Sequence, residues 1–175
     1  MRPNGHGIGS KIMMHVEPNE IGNRDSFTLW GINQTMCGKA DTTQVLWKSF
    51  LQNWKSKIAS CDLISLQVYP ENYFEAYNPE LNFVKWAGFI GNQDVEKPEE
   101  LNELIVPGGL YAQFEIQLGT NGFSFFSAVF SQWIPQSGYG ISNRPHYEIF
   151  DLAYQAKLPG ATERICIPIE RMHAR

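Results

Sequence analysis

Trp133-Ile-Pro-Gln-Ser-Gly-Tyr-Gly-Ile-Ser-Asn-Arg-Pro-His-Tyr-Glu-Ile-Phe150 is an aromatic, turn-rich connector that runs into a short strand carrying one carboxylate. The reading of that strand decides how the chain is arranged. Side chains alternate across a strand, so from Pro145 onward His146, Glu148 and Phe150 share one face, and Tyr147, Ile149 and Asp151 the other. Glu148 therefore stands in aromatic company. On an interior face a lone carboxylate loses water at a cost on the order of several kcal/mol unless a partner compensates, and a bound cation is one such partner. On an edge strand it points to solvent instead, the commoner state for a glutamate. Alternation alone leaves both open.

Composition narrows the context. At 175 residues the chain is one domain, or two fused half-repeats, and long enough for a sizeable core. Hydrophobic residues at 43% and charged residues at 18% are ordinary globular values that require neither disulfides nor metal. The aromatic share, 13%, exceeds what such a core needs, and aromatic side chains are favoured where a flat or cationic ligand is gripped. The net charge of −4 argues against direct binding to nucleic acid. Cys37, Cys61 and Cys166, like His6, His15, His146 and His173, are scattered without metal-ligand spacing, so no metal and no cofactor are expected. No apolar run reaches membrane-spanning length and no secretory signal is evident, which points to the cytoplasm.

Periodicity places the elements outward from that stretch. Residues 1–26 read as a Gly-rich tail with a short early strand at Lys11–Val16, and the single domain is expected over 27–175. With 26 residues before Phe27, no helix-turn-helix DNA-binding domain is expected there. Phe27–Cys37 is strand-like. Asp41 and Gln44 then read as an N-cap and its capping-box partner, opening a helix whose stripe is Trp47, Phe50, Leu51, Trp54 and Ile58. At about 1.5–3 kcal/mol per large side chain buried, the stripe anchors the helix on a sheet. Strands Leu63–Tyr69 and Asn82–Ile90 follow, and the acidic segment around Pro98 marks an internal boundary.

The order then repeats. Leu104–Leu118, interrupted by Pro107-Gly108-Gly109, alternates strongly. A second helix carries Phe123, Phe126, Phe130 and Trp133 as a stripe ended by Pro135. Arg164–Glu170 closes the chain, with Pro168 marking either an edge or a place where no ladder bond is needed. The expected fold is therefore α+β, a duplicated β-α-β-β unit with pseudo-twofold symmetry (half-repeats 27–91 and 104–170). Its antiparallel sheet or sheets carry two main helices with a central crevice between them.

Four segments carry a family resemblance: Ile105-Val-Pro-Gly-Gly-Leu-Tyr-Ala-Gln-Phe-Glu115, Trp133-Ile-Pro-Gln-Ser-Gly-Tyr139, Arg144-Pro-His-Tyr-Glu-Ile-Phe150 and Ile165-Cys-Ile-Pro-Ile169. In this order and spacing they resemble the gyrase-inhibitory-protein-like (GyrI-like) effector-binding domains, also found at the ends of AraC-type and MerR-type multidrug-responsive regulators. In the first half, Trp86-Ala87-Gly88 resembles a weaker family strand. The resemblance implies a pocket for flat, hydrophobic, often cationic molecules, with its central carboxylate at Glu148. Phe150 stands where the family usually has Tyr, and Trp133 and Tyr139 fall on motif positions. Tyr69, Trp86 and Trp47 join the candidates by facing the expected crevice.

Three functions follow as expectations. The first is a stand-alone sensor or drug-binding module in regulation or resistance, binding a lipophilic, cationic aromatic molecule, with a homodimer or a separate regulatory protein to pass on the signal. The second is a hydrolase of reactive electrophiles using the same Glu148. The third is a protein-interaction inhibitor presenting the acidic stretch Asp94–Glu103.

Overall fold

The computed structural model describes residues 15–76, 78–92 and 96–172, so the tail and most of the expected Lys11–Val16 strand lie outside the described residues. The first half comprises β1 (Glu20–Arg24), β2 (Phe27–Cys37), α1 (Thr43–Trp54), β3 (Leu63–Val68) and β4 (Asn82–Ile90). The second comprises β5 (Asn102–Val106), β6 (Gly109–Gln117), α2 (Gly122–Ala128) and a π-helical turn (Val129–Trp133). It continues with α3 (Ile134–Ser137), β7 (Tyr139–Ile141), β8 (His146–Phe150), α4 (Leu152–Gln155) and β9 (Thr162–Arg171).

One antiparallel sheet contains every described strand, in the order β1-β6-β9-β8-β3-β4-β2-β5, with β7 paired to the end of β9. β3 and β8 meet at its centre, and outward from them β4 and β2 mirror β9 and β6, which is the expected duplication. One further strand extends each unit. β1 leads into β2 but pairs with β6 of the other half, and β5 leads into β6 but pairs with β2. The halves are thus locked together by exchanged strands.

Both faces of the sheet are covered. Phe27 on β2 touches Tyr147 on β8 with ring centroids 5.3 Å apart, although β3 and β4 lie between those strands, so the sheet curls. Its concave side is filled by Leu29, Ile64, Leu66, Trp86, Tyr111 and Tyr147. On the convex side α1 seats Leu46, Phe50 and Trp54 over one half, and the second helical segment seats Phe125, Val129 and Trp133 over the other. The floor between the two helices is the central pair β3 and β8.

The Pro107-Gly108-Gly109 motif marks where the chain crosses from one end of the sheet to the other. A Cβ on Gly108 would lie 2.5 Å from the Arg24 carbonyl oxygen in the β1–β2 crossing. Gly109 has φ +144°, and a Cβ there would meet the Arg144 guanidinium. Arg144 fills that space. It donates to the carbonyls of Gly108 (3.2 Å), Leu110 (2.7 Å) and Ile169 (2.9 Å) and lies over the Tyr111 ring. Tyr111 in turn donates to the Pro145 carbonyl. Three of the motifs behind the family resemblance are therefore partners in one closure.

Two sequence expectations change, and one open alternative closes. Pro135 does not end the second helix: it stands in the first turn of α3, directly after the π turn, and the helical backbone runs on through it to Ser137. The expected Phe123/Phe126/Phe130/Trp133 stripe is split, because the π turn, with the Ile134 N–H bonding to the Val129 carbonyl, adds a residue to the turn and returns Trp133 to the face of Phe125 and Val129. β9 is no edge strand. Pro168 falls between the residues that pair with β8 and those that pair with β7, so the second reading of it holds.

Candidate functional site

Alternation on β3, β4 and β8 aims Ser65, Gln67, Lys85, His146, Glu148 and Phe150 at the convex side, between the helices. Two adjoining cavities of about 580 Å3 each open there and share Gln67, Tyr69, Phe126 and Glu148. Each falls within the roughly 300–1,000 Å3 usual for small-molecule sites. The α1 side is walled by Trp47, Leu51, Phe83, Phe150 and Tyr154. The Asp151 side chain caps α4 by accepting the Tyr154 N–H, which lays Tyr154 on Phe150 in a stack 5.1 Å apart. Trp47 meets the other side of Phe150 edge-on at 5.7 Å. On the α2 side, Phe74 from the β3–β4 loop stacks on both Phe130 (5.1 Å) and His146 (5.0 Å).

At the centre is a charge pair. Lys85 Nζ lies 3.9 Å from Glu148 Oε2, and the two side chains are only 6% and 13% exposed. Glu148 is thus neither solvent-facing nor alone: its internal counter-charge comes from the neighbouring half of the sheet. The separation is that of an ion pair rather than a hydrogen bond, which leaves the carboxylate's lone pairs open to the cleft. Gln67, with its amide oriented to suit both neighbours, accepts from Lys85 Nζ and donates to the His146 carbonyl at 3.0 Å.

A second carboxylate lies next along the sheet. Glu163 accepts from the Tyr154 hydroxyl at 3.3 Å. Burial first, and then the charge of Glu148, push its carboxyl up to about 7, against the opposing effects of Tyr154 and Lys85. Burial pulls the His146 imidazole down to about 3, so that ring is neutral in the cleft wall. Glu163 lines neither cavity, but it gains a negative charge beside Glu148 as pH rises through neutrality, and the cleft feels that charge. A lipophilic cation should bind more tightly at pH 8 than at pH 6 by roughly threefold or more, and titration calorimetry on Glu163→Gln should find that dependence flattened. Stability moves the other way. With its folded pKa raised from 4.5, Glu163 contributes stability that is complete below about 4.5 and lost as pH climbs through about 7.

The sequence family whose signature covers residues 80–170, more than half of the chain, is described as the GyrI-like small molecule binding domain. The chain belongs to this family. Among solved structures, SAV2435 bound to tetraphenylphosphonium matches with a TM-score of 0.62 at 13% identity, over 89% of this chain and 94% of that one. The EcmrR C-terminal domain matches with a TM-score of 0.60 at 10% identity, over 87% and 97%. A hydrolase encoded by lin2189 of Listeria innocua matches with a TM-score of 0.51 at 9% identity, over 86% and 91%. At these identities the likeness establishes a shared fold. Comparison with curated proteins returns no sequence match.

In this GyrI-like chain the structure gathers Glu148, Phe150, Tyr69 and Trp47 around the cleft and places the other three candidates elsewhere. Trp86 points into the concave core, because it alternates with the cleft-facing Lys85. Trp133 is buried between the π turn and the sheet. Tyr139, on β7, stacks on Trp133 at 6.5 Å and lies beneath Arg171, away from the cleft. The Trp-Ile-Pro-Gln-Ser-Gly-Tyr motif thus shapes the backbone leading into β8. Cleft residues that were not among the expected ligand contacts include Lys85, Gln67, Phe126, Phe130, His146 and Tyr154. A lysine in alternation with Phe83, Ala87 and Phe89 was the available signal for the first.

Proposed function

We propose that the chain is an effector-binding module that takes a flat, hydrophobic, cationic aromatic molecule into the cleft between α1 and α2, as a sensor or sequestering domain in regulation or resistance. The observation that carries this reading is the position of Glu148, a nearly buried carboxylate on the floor shared by both cavities and surrounded by aromatic walls. Aromatic faces accept many flat ligands, a cation over such a face gains about 0.5–2 kcal/mol, and a carboxylate in a water-poor cleft adds charge attraction. Glu148, Phe150, Tyr69 and Trp47 act as ligand contacts, and Phe126, Phe130 and His146 extend the aromatic wall. The domain spans the described sheet as one unit. Its three cysteines are free thiols, as suits a reducing cytoplasm, and no described helix is long and apolar enough to cross a membrane.

A thermal-shift series with lipophilic cations and matched neutral compounds tests this. Ligands that bind only the folded state raise the apparent Tm with concentration, and cations should do so at lower concentration than their neutral counterparts. Absence of a shift across both series would count against the cleft as a ligand site.

A hydrolase reading rests on one further observation, the two carboxylates Glu148 and Glu163 beside the Tyr154 hydroxyl, with Glu163 held protonated up to neutrality. Turnover of a reactive electrophile that disappears in Glu148→Gln would establish it. The protein-interaction reading keeps an exposed acidic surface, since Glu96, Glu99 and Glu100 all face solvent. Asp94 lies outside the described residues, and Glu103 is engaged internally by the Trp30 indole N–H at 2.9 Å.

A further inference from the structure

Lys85 is an unusual residue for the place it occupies. Lysine is rarely buried, yet this one is 4% exposed in the middle of β4, flanked on its own face by Phe83 and Ala87. Its ammonium faces the cleft and is balanced by Glu148 at 3.9 Å. The pairing crosses the centre of the molecule: Lys85 is opposite Gln67 on β3, Gln67 is opposite His146 on β8, and Glu148 stands one same-face position along β8 from His146. Removing an ammonium from water at such a position is costly unless an opposite charge compensates.

Any permanent cation that approaches Glu148 through the cleft meets the like charge of Lys85 already there. The lysine has somewhere else to go. Its Nζ also bonds the Gln67 side-chain oxygen, and its four-carbon stem lets the ammonium pivot towards that oxygen and away from the carboxylate. Because the Lys85–Glu148 contact is longer than a hydrogen bond, parting the two breaks no hydrogen bond between them.

We propose that Lys85 is the cleft's resident cation, paired with Glu148 when no ligand is present, and that a cationic ligand binds by taking its place, so that Lys85 sets how strongly the site prefers charged over neutral ligands. This rests on the cleft being the ligand site and adds the residue that tunes its charge selectivity. The consequence runs against simple intuition. Deleting a charged residue from the cleft improves the binding of ions.

Titration calorimetry with tetraphenylphosphonium and the neutral triphenylphosphine oxide, on the whole chain, tests the proposal. The readout is the ratio of the two affinities. In Lys85→Met the ratio should move towards the cation at least tenfold, and in Lys85→Met/Glu148→Gln that gain should vanish. An unchanged ratio, or one that moves towards the neutral probe, overturns the proposal. Should Lys85→Met not fold, NMR of the unsubstituted protein carrying lysine labelled with 13C at Cε decides instead. The Lys85 resonance should move with tetraphenylphosphonium and stay near its starting position with triphenylphosphine oxide, and identical responses to the two overturn the displacement. Two failures are distinguishable: if both probes bind with a ratio indifferent to Lys85, the cleft reading stands and this one falls. If neither probe binds the parent chain or the variant, both fall together.

Discussion

Glu148→Gln should lower the preference for tetraphenylphosphonium over triphenylphosphine oxide by at least about tenfold, close to 1.4 kcal/mol. Two unit charges about 5 Å apart attract by roughly 3 kcal/mol at the effective dielectric of a protein site, and part of that is returned as desolvation of the carboxylate. The substitution keeps the size and one carbonyl oxygen, so the aromatic walls built by Trp47, Phe150 and Tyr154 are retained. It also leaves Lys85 without its counter-charge, which repels a cationic ligand further. Calorimetric titration with both probes reads the ratio directly. Equal losses for the two would show that Glu148 contributes shape rather than charge.

Arg144→Ala should destabilise the fold by roughly 3–5 kcal/mol, enough to lower the Tm by about 10 °C or more in a chain of this size. One guanidinium satisfies the carbonyls of Gly108, Leu110 and Ile169, which belong to the β5–β6 crossing, β6 and β9. Removing it leaves three acceptors without their charged donor, takes a cation from the face of Tyr111, and opens the space that Gly109 exists to provide. Arg144→Lys should recover only part of the loss, because a single ammonium cannot reproduce the planar fork that reaches three carbonyls. Urea or thermal denaturation measures both variants. A Tm drop below about 3 °C for the alanine variant would contradict this role for the closure.

The duplicated architecture was legible where the periodicity was strong. β2 and β4 have the expected bounds, β8 carries His146, Glu148 and Phe150 on one face as its alternation predicts, and the crevice lies at the centre of the pseudo-symmetric sheet. The strand exchange was not legible. β1 is a five-residue, largely exposed strand paired with residues about ninety positions away, and no local pattern encodes such a partner. Trp86 was assigned to the wrong face for a related reason. The curled sheet is buried on both sides, so alternation tells which residues share a face but not which face holds the cleft.

Helical phase misled in a different way. An unbroken α-helix keeps Phe126, Phe130 and Trp133 close to one stripe, and one π turn sends Trp133 into the core while leaving the two phenylalanines in the cleft. Lys85 shows the limit of reading charge from residue type. A lysine in a strand is ordinarily taken as solvated, and only the fold reveals that its neighbour across the sheet centre is the one carboxylate the sequence had already singled out.

The most direct test of the account is the position of a bound probe. Crystals grown with saturating tetraphenylphosphonium should show its phenyl rings between the α1 wall of Trp47, Phe150 and Tyr154 and the α2 wall of Phe126 and Phe130, with Glu148 as the nearest carboxylate to the phosphonium. Ordered probe at any other surface, with the cleft between the helices empty, would contradict it.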